Sequence, residues 1–455
     1  LSNLSISDQI NFKYREYALY VLQSRGIPNF YDSLTPVQRI ILENSPGSFN
    51  KTIGLVGEVI RTGLYHHGDS SLSGAISKLA RPFGCSFQIL EGDGFFGSPV
   101  NPSPSAPRYT SVKINKGVKE IIQKHSDLNE SNEEGGHDWL HVEIPVGLLT
   151  HIIGIAVGYR TNILPRKLED VVEYLEGKNK ILKPHFKDFS GKIYKYENTE
   201  NVWLIESGFE SNSVKRTIRI FDLPPVMRYD SFMDKLVNKL EGLGLEYKLN
   251  NNSQSKCDIT LWFHKLQSKE FDNLVPAIKK LTQILVKEDV VFIKDGAVAQ
   301  FDSVKEYLDS FKIHLETVKL KRLKKDLENF KYDLEFLEAK LKFLIFMSQK
   351  KRANKEIEEF LQQFSPKISS RLSAIQIIKL SSDHIAETEK EIARIKKLIT
   401  ETQKLIKAQE VVVKKIGDFK IKKPKVLFSG TESGLLPPQD IEIFEIQEEM
   451  REIED

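Results

Sequence analysis

A chain of 455 residues exceeds what one hydrophobic core usually organises, so two to four domains are expected. With 40% apolar and 28% charged residues and a formal net charge of +3, it reads as an ordinary globular protein without a strong overall field for nucleic acid, leaving local basic patches open. Two distant cysteines, Cys85 and Cys257, exclude a disulfide scaffold and a clustered thiolate metal site, and no apolar run is long enough to span a bilayer, so a reducing, cytoplasmic setting without membrane fits.

The first 25 residues read as a helix opened by Ser7 or Asp8, without the basic-then-apolar order of a secretory signal. "TPVQRIILEN" starts a second helix, with Thr35 as cap and Pro36 in the first helical position. "KTIGLVGEVIRTGL" follows, then the break "YHHGDS", then a helix "SLSGAISKLARPF" opened by Asp69 or Ser70. Three short helices with tight turns match a helix-turn-helix module, as they would match many helical lobes. After Pro82 the chain turns rich in Gly, Pro and aromatics, with short strands around a long loop. Helices followed by such a hairpin predict a winged helix, with Tyr109 at or just beyond the wing, beside the third helix. In "SAPRYTSVKI" (105–114) a strand would point Arg108 and Tyr109 to opposite faces, and taken locally Tyr109 reads as an ordinary surface aromatic.

Residues 114–135 contain a helix and then an acidic polar linker, "HSDLNESNEEGGHD". "VGLLTHIIGIAVGY" (146–159) reads as buried core within a stretch of strand and turn signals. Between 184 and 295 strands such as "VKRTIRIFDLPP" and "KCDITLWFHK" alternate with the helix "YDSFMDKLVNKLEGLG", stopped by glycine, which marks an α/β domain. Apolar residues then recur in steps of three and four from Leu320 to Leu344, and again from Ile385 to Ile406. Two such seams around a compact insert predict an antiparallel coiled coil with a globular tip, each arm reaching roughly 40 Å. The apolar "LSAIQIIKL" in that insert needs a partner surface, and the tail "IEIFEIQEEMREIED" is acidic and at best partly ordered.

Seven stretches in order carry a resemblance: "SRGIPN" (24–29), "TPVQR" (35–39), "YHHGDSS" (65–71), "DGFFGS" (93–98), "APRYT" (106–110), "GIAVGYRTNILP" (154–165) and "LPP" (223–225). Together they resemble the breakage-reunion (A-type) subunit of type IIA DNA topoisomerases, with most in common with the medium subunit of phage-type multisubunit enzymes. The resemblance covers about residues 10 to 415. It implies a multidomain α/β fold: an N-terminal helical arm (1–30), a winged-helix domain with the nucleophilic tyrosine (31–125), an α/β tower domain (126–300), coiled-coil arms with a dimerisation gate whose tip lies near 346–382 (301–415), and a C-terminal tail (416–455).

The same resemblance makes Tyr109 the nucleophile that attacks a DNA phosphodiester to form a 5′-phosphotyrosyl bond. A phenol of pKa about 10 is a weak nucleophile at neutral pH and needs a base or nearby positive charge. Arg108 is implied beside it as a phosphate fork. His67 matches the last histidine of the active-site motif, to bond phosphate, orient the tyrosine or act as base. His66 is present, but the proline that separates two histidines in the bacterial pattern is missing. Arg25, Arg39, His66 and Lys78 are implied DNA contacts; Thr35 and Ile40 stand where the family has further cations. Ile163 matches an isoleucine that wedges between base pairs.

No nucleotide-binding loop occurs, since "GLVGEV" lacks the Lys-Ser ending, and Glu91 and Asp93 do not make an acidic metal site. Magnesium and ATP are therefore expected on a separate partner subunit. The other implied partners are duplex DNA and a second copy joined through the gate. With little chain after residue 420, a DNA-wrapping domain is not expected, and ATP-dependent relaxation, decatenation and unknotting are. The setting would be a host-cell cytoplasm if the source is viral. A second reading is a non-catalytic winged-helix, coiled-coil DNA-binding or architectural protein, which has no need of Tyr109.

Overall fold

The computed structural model describes residues 13, 14, 17, 18, 20–178, 181–197, 199–349, 354–374, 382–418 and 424–428. The expected caps Ser7 and Asp8, most of "LSAIQIIKL" and the whole of the acidic tail lie outside the described residues. The chain divides into two compact units, Leu1–Lys312 with Ile421–Asp455, and Ile313–Lys420.

In the first unit a π-helical turn, Leu22–Gly26, leads to α1 (Pro36–Glu43). Gln38 Oε1 accepts from the Thr35 amide at 3.0 Å, so Thr35, Pro36 and Gln38 open this helix locally. Next come β1 (Asn50–Lys51), α2 (Thr52–Arg61) and α3 (Asp69–Ala80). Leu55, Val56 and Val59 of α2 and Leu72, Ile76 and Leu79 of α3 are buried. The cap of α3 is Gly68, not Asp69 or Ser70; Asp69 is already helical and its carboxylate accepts from the Ser70 amide. β2 (Leu90–Asp93) and β3 (Ser111–Ile114) join β1 in an antiparallel sheet, order β1-β3-β2, with Lys51 opposite Ser111 and Gly92 opposite Val112.

Beyond α4 (Lys116–Gln123), capped by Asn115, the expected linker is in fact a folded loop. Asn132 Oδ1 accepts from the amides of Glu134 and Gly136, Asn129 Oδ1 accepts from the amide of His141, and His137 Nδ1 pairs with Glu43 Oε1 at 2.5 Å. The polar composition that read as linker supplies side-chain acceptors for turn amides.

A hairpin of β4 (Ile152–Ala156) and β5 (Tyr159–Ile163) follows, turning at Val157 (φ 45°) and Gly158 (φ 79°). Gly154 is required by a close approach: a Cβ there would lie 1.8 Å from the carbonyl oxygen of Gly26. After α5 (Leu168–Leu175), β6 (Lys192–Lys195) and β7 (Val202–Glu206) form a sheet with β12 (Gln283–Lys287), order β12-β7-β6. Between them, β8 (Gly208–Asn212), β9 (Thr217–Phe221), β10 (Lys248–Asn251) and β11 (Asp258–Trp262) make an antiparallel sheet in the order β10-β11-β9-β8. Its inward residues Ile218, Ile220, Ile259 and Leu261 share one core with Phe232, Leu236 and Leu240 of α6 (Tyr229–Gly242) and Phe271 and Ile278 of α7 (Ser268–Leu281). Gly244, at φ 61°, follows α6 as the sequence predicts. The carboxylate of Glu288, fully buried, takes two bonds from Arg166 (2.9 and 2.7 Å), one from the Trp203 indole (2.7 Å) and one from the Leu164 amide (2.8 Å). β13 (Val290–Lys294), β14 (Ala297–Phe301) and β15 (Lys425–Phe428) complete this unit.

The second unit is built on α8 (Val304–Ser348) and α11 (Ser382–Asp418). Glu316 bonds Gln409, Lys324 pairs with Glu410, and Glu338 pairs with Lys396, so early residues of one helix meet late residues of the other and the two run antiparallel. Seam residues Leu337, Leu344, Thr388, Ile392, Thr402 and Ile406 are buried. α9 (Asn354–Leu361) and α10 (Pro366–Ser373) close a small core of Ala339, Phe343, Ile368 and Leu372.

Candidate functional site

Tyr109 lies in a turn, not in a strand: its amide donates to Ala106 O at 2.9 Å, and β3 begins two residues later. The bend brings the neighbours together, with the Arg108 guanidinium carbon 5.1 Å from the Tyr109 ring centroid. Both side chains are exposed, Tyr109 to 67%. The turn is braced by the second helix rather than the third: Thr52 N–H donates to Thr110 O (3.0 Å) and Ile53 N–H to Pro107 O (3.3 Å). On the other side the Ser105 amide donates to Phe95 O at 2.9 Å, tying the turn to the glycine-rich "DGFFGS" loop. The turn thus presents an exposed phenol beside a cation on a braced support.

His66 and His67 are exposed in the loop between α2 and α3. Tyr65 stands edge-on to His67 at 5.4 Å and its hydroxyl donates to Gly68 O at 3.2 Å. Both histidines line a cavity of about 430 Å³ with Tyr31, His137, Trp139 and Asp295. The Tyr31 phenol there is pushed up by burial and by its 2.5 Å bond to the Asp295 carboxylate, so it stays protonated. Tyr109 does not line this cavity. Its turn sits on the first residues of α2, whereas His67 lies six residues past the helix end; ten helical residues rise about 15 Å.

Two expected DNA contacts are inward-facing. Arg39, 2% exposed, forks onto Asp32 with Nε–Oδ2 at 2.7 Å and Nη2–Oδ1 at 3.1 Å, and also donates to Leu34 O. Asp32 in turn accepts from the Leu34 and Leu140 amides, so Arg39 neutralises a buried carboxylate, while it also lines the cavity of His66 and His67. Ile163 is 0% exposed: alternation along β5 turns Tyr159, Thr161 and Ile163 inward. On the paired strand Ile153, 53% exposed, and the half-buried Ile155 face outward.

Arg25 belongs to the turn Leu22–Gly26, and its side chain lies outside the described residues. Lys78, in the last turn of α3, reaches solvent. Partial desolvation of its amine and the neighbouring Arg81 hold its pKa below the usual lysine value. Arg81, just past the end of α3, was not singled out by the sequence. Burial lowers its pKa, and among the described residues no carboxylate pairs with it. The described residues contain no group of three or more His, Cys, Asp or Glu able to hold a metal ion.

These features define a mixed α/β protein with a presented tyrosine. Its fold matches the crystal structure of the Plasmodium falciparum topoisomerase II DNA-binding, cleavage and re-ligation domain, with a TM-score of 0.72 at 20% identity over 89% of this chain and 63% of that one. Residues 25–418 match the family of DNA gyrase/topoisomerase IV A subunits, and the chain belongs to that family. Among relatives, it is 24% identical to the DNA topoisomerase medium subunit of Enterobacteria phage T4 over 62% of this chain and 74% of that protein. It is 30% identical to the DNA gyrase A subunit of Borreliella burgdorferi over 53% of this chain, but only 34% of that gyrase protein is spanned. With the DNA gyrase A subunit of Clostridium acetobutylicum identity is 36%, over 37% of this chain and 22% of the relative.

Proposed function

We propose that this chain is the DNA breakage-reunion subunit of an ATP-dependent type IIA topoisomerase. Family membership supports a role in DNA cleavage and religation. The observation that carries the chemical assignment is the Tyr109 turn: an exposed phenol beneath Arg108, braced on the start of α2. Tyr109 Oη attacks the phosphorus, the P–Oη bond forms, and the bond to the deoxyribose 3′ oxygen breaks. The phenol proton leaves to a base, and the 3′ oxygen takes a proton from that protonated base or from water and departs as a hydroxyl. The phosphoester energy is kept, so the reverse attack reseals the strand. Arg108 stabilises charge on the non-bridging oxygens, where a forked donor is strongest.

Tyr109 and the His66–His67 loop follow opposite ends of α2, which favours a site completed by a second copy, whose histidines approach the phosphate held by this chain's tyrosine. Lys78 and Arg81 anchor the duplex backbone. Wedging between base pairs falls to Ile153 or Ile155 instead of Ile163. The three-helix segment with β1-β3-β2 acts as a winged helix, residues 126–300 as the tower, and α8 with α11 as coiled-coil arms that carry the dimer gate. Magnesium and ATP are assigned to a separate subunit; the metal would lower the barrier at the scissile phosphate when bound there. Relaxation, decatenation and unknotting follow from passing one duplex through the transient break.

The test is Tyr109→Phe in a complex reconstituted with supercoiled plasmid and a topoisomerase subunit that binds magnesium and ATP. Wild type should leave protein on both 5′ ends after detergent quenching, and the variant none, while duplex affinity is kept. A covalent adduct in the variant would move the nucleophile elsewhere. No adduct from either form, with a partner of proven activity, would favour the architectural reading.

A further inference from the structure

Thr52 heads α2 with its side chain fully buried, and its Oγ1 lies 2.8 Å from the Oγ1 of Thr110, also buried. Thr110 directly follows Tyr109. The first amides of a helix have no partner within it, and here those of Thr52 and Ile53 are taken by the carbonyls of Thr110 and Pro107. The tyrosine turn thus caps α2 through its backbone, and the two hydroxyls lock the pairing through side chains. Gly94, at φ 106°, presses from the other side: a Cβ there would lie 3.2 Å from Thr110 Cγ2 and 3.4 Å from Tyr109 O. The turn is therefore clamped between a helix start and a glycine, with only the Tyr109 and Arg108 side chains projecting to solvent.

We infer that Thr52 is a positioning residue for Tyr109: its buried hydroxyl, bonded to that of Thr110, holds the tyrosine turn in the orientation needed for attack on phosphate. The inference rests on Tyr109 being the nucleophile. Neither hydroxyl reaches solvent, so neither contributes to DNA binding directly. Their effect must appear in the rate of the covalent step, which falls on the order of 100-fold for a displacement of about 1 Å.

The experiment measures single-turnover phosphotyrosine formation in the reconstituted complex, duplex affinity, and hydrogen exchange of the chain by itself. Thr52→Val should slow adduct formation by about 10- to 100-fold with affinity within about twofold. The amides of Ile53 and Tyr109 should exchange about tenfold faster, while that of Ile205 in β7 is unchanged. Thr52→Ser keeps the hydroxyl and should restore the rate. The double change Thr52→Val with Thr110→Val leaves no hydroxyl unpaired, so it separates positioning from the disturbance of an orphaned polar group; it should remain slow. A wild-type rate in the double variant, or in folded Thr52→Val with unchanged exchange, overturns the inference. Tyr109→Phe run alongside separates the two readings: an adduct in that variant means the nucleophile assignment failed, whatever Thr52 does.

Discussion

Replacing Arg39 with Met should cost folding stability and leave DNA binding nearly unchanged. The Asp32 carboxylate is completely buried and has four donors: Arg39 Nε at 2.7 Å, Arg39 Nη2 at 3.1 Å, and the amides of Leu34 (2.9 Å) and Leu140 (3.0 Å). Methionine removes the two charged donors and leaves a buried anion with two backbone amides. Breaking a buried ion pair from one side costs about 3–5 kcal/mol. At about 2.1 cal/mol/K per residue a unit of this size loses about 1.4 °C of Tm per kcal/mol, so a fall of roughly 4–7 °C is expected. Asp32→Asn with Arg39→Met should recover a large part of that loss, because the uncompensated charge is gone. The assay is thermal unfolding of each variant beside duplex binding across a salt series. A phosphate contact would reduce the slope of log K against log salt by about one. A stability change below about 1 kcal/mol together with such a slope change would refute the structural role and return Arg39 to the DNA surface.

Arg81→Ala and Lys78→Ala should each reduce that salt slope by about one with little loss of stability, measured by the same titration. Gly154→Ala should destabilise by at least about 1–3 kcal/mol, read by denaturant unfolding, because its methyl would fall 1.8 Å from Gly26 O. His151 is held neutral by burial, its pKa lowered to about 4, while its ring bonds Asn162 Oδ1 at 2.8 Å. Since the unfolded histidine takes up a proton near pH 6.5 and the folded one only near 4, the stability is present in full above about 6.5 and is lost as pH falls between the two. His151→Gln should flatten stability over that window; an unchanged profile would assign the pH dependence to other groups. Ile153→Ala and Ile155→Ala should reduce DNA bending measured by energy transfer between duplex ends, and Ile163→Ala should instead lower Tm.

Signals carried within a few residues were legible without coordinates. Thr35, Pro36 and Gln38 open α1 by themselves, Gly244 ends α6, and the three-and-four spacing of apolar residues specifies long helices with a buried seam, because each depends on bonds or faces set by neighbours along the chain. The ordered stretches from "SRGIPN" to "LPP" carried the family, whereas the turn that brings Arg108 over Tyr109 appeared only in the fold. Which way a side chain faces was decided only by contacts made across the chain. Arg39 turns inward because Asp32, itself fixed by the Leu140 amide 108 residues away, needs its charge. Ile163 turns inward because the register of β5 against β4, with Ile152 opposite Ile163, puts it on the packed face. Residues 125–138 look like a solvated linker by composition and fold because their side chains find amides and Glu43 within reach. The support of Tyr109 belongs to the same class: Thr52 and Thr110 are 58 residues apart, and nothing near either one announces the pairing. Burial and partnership are properties of the assembled surface, so they arise only when distant segments meet.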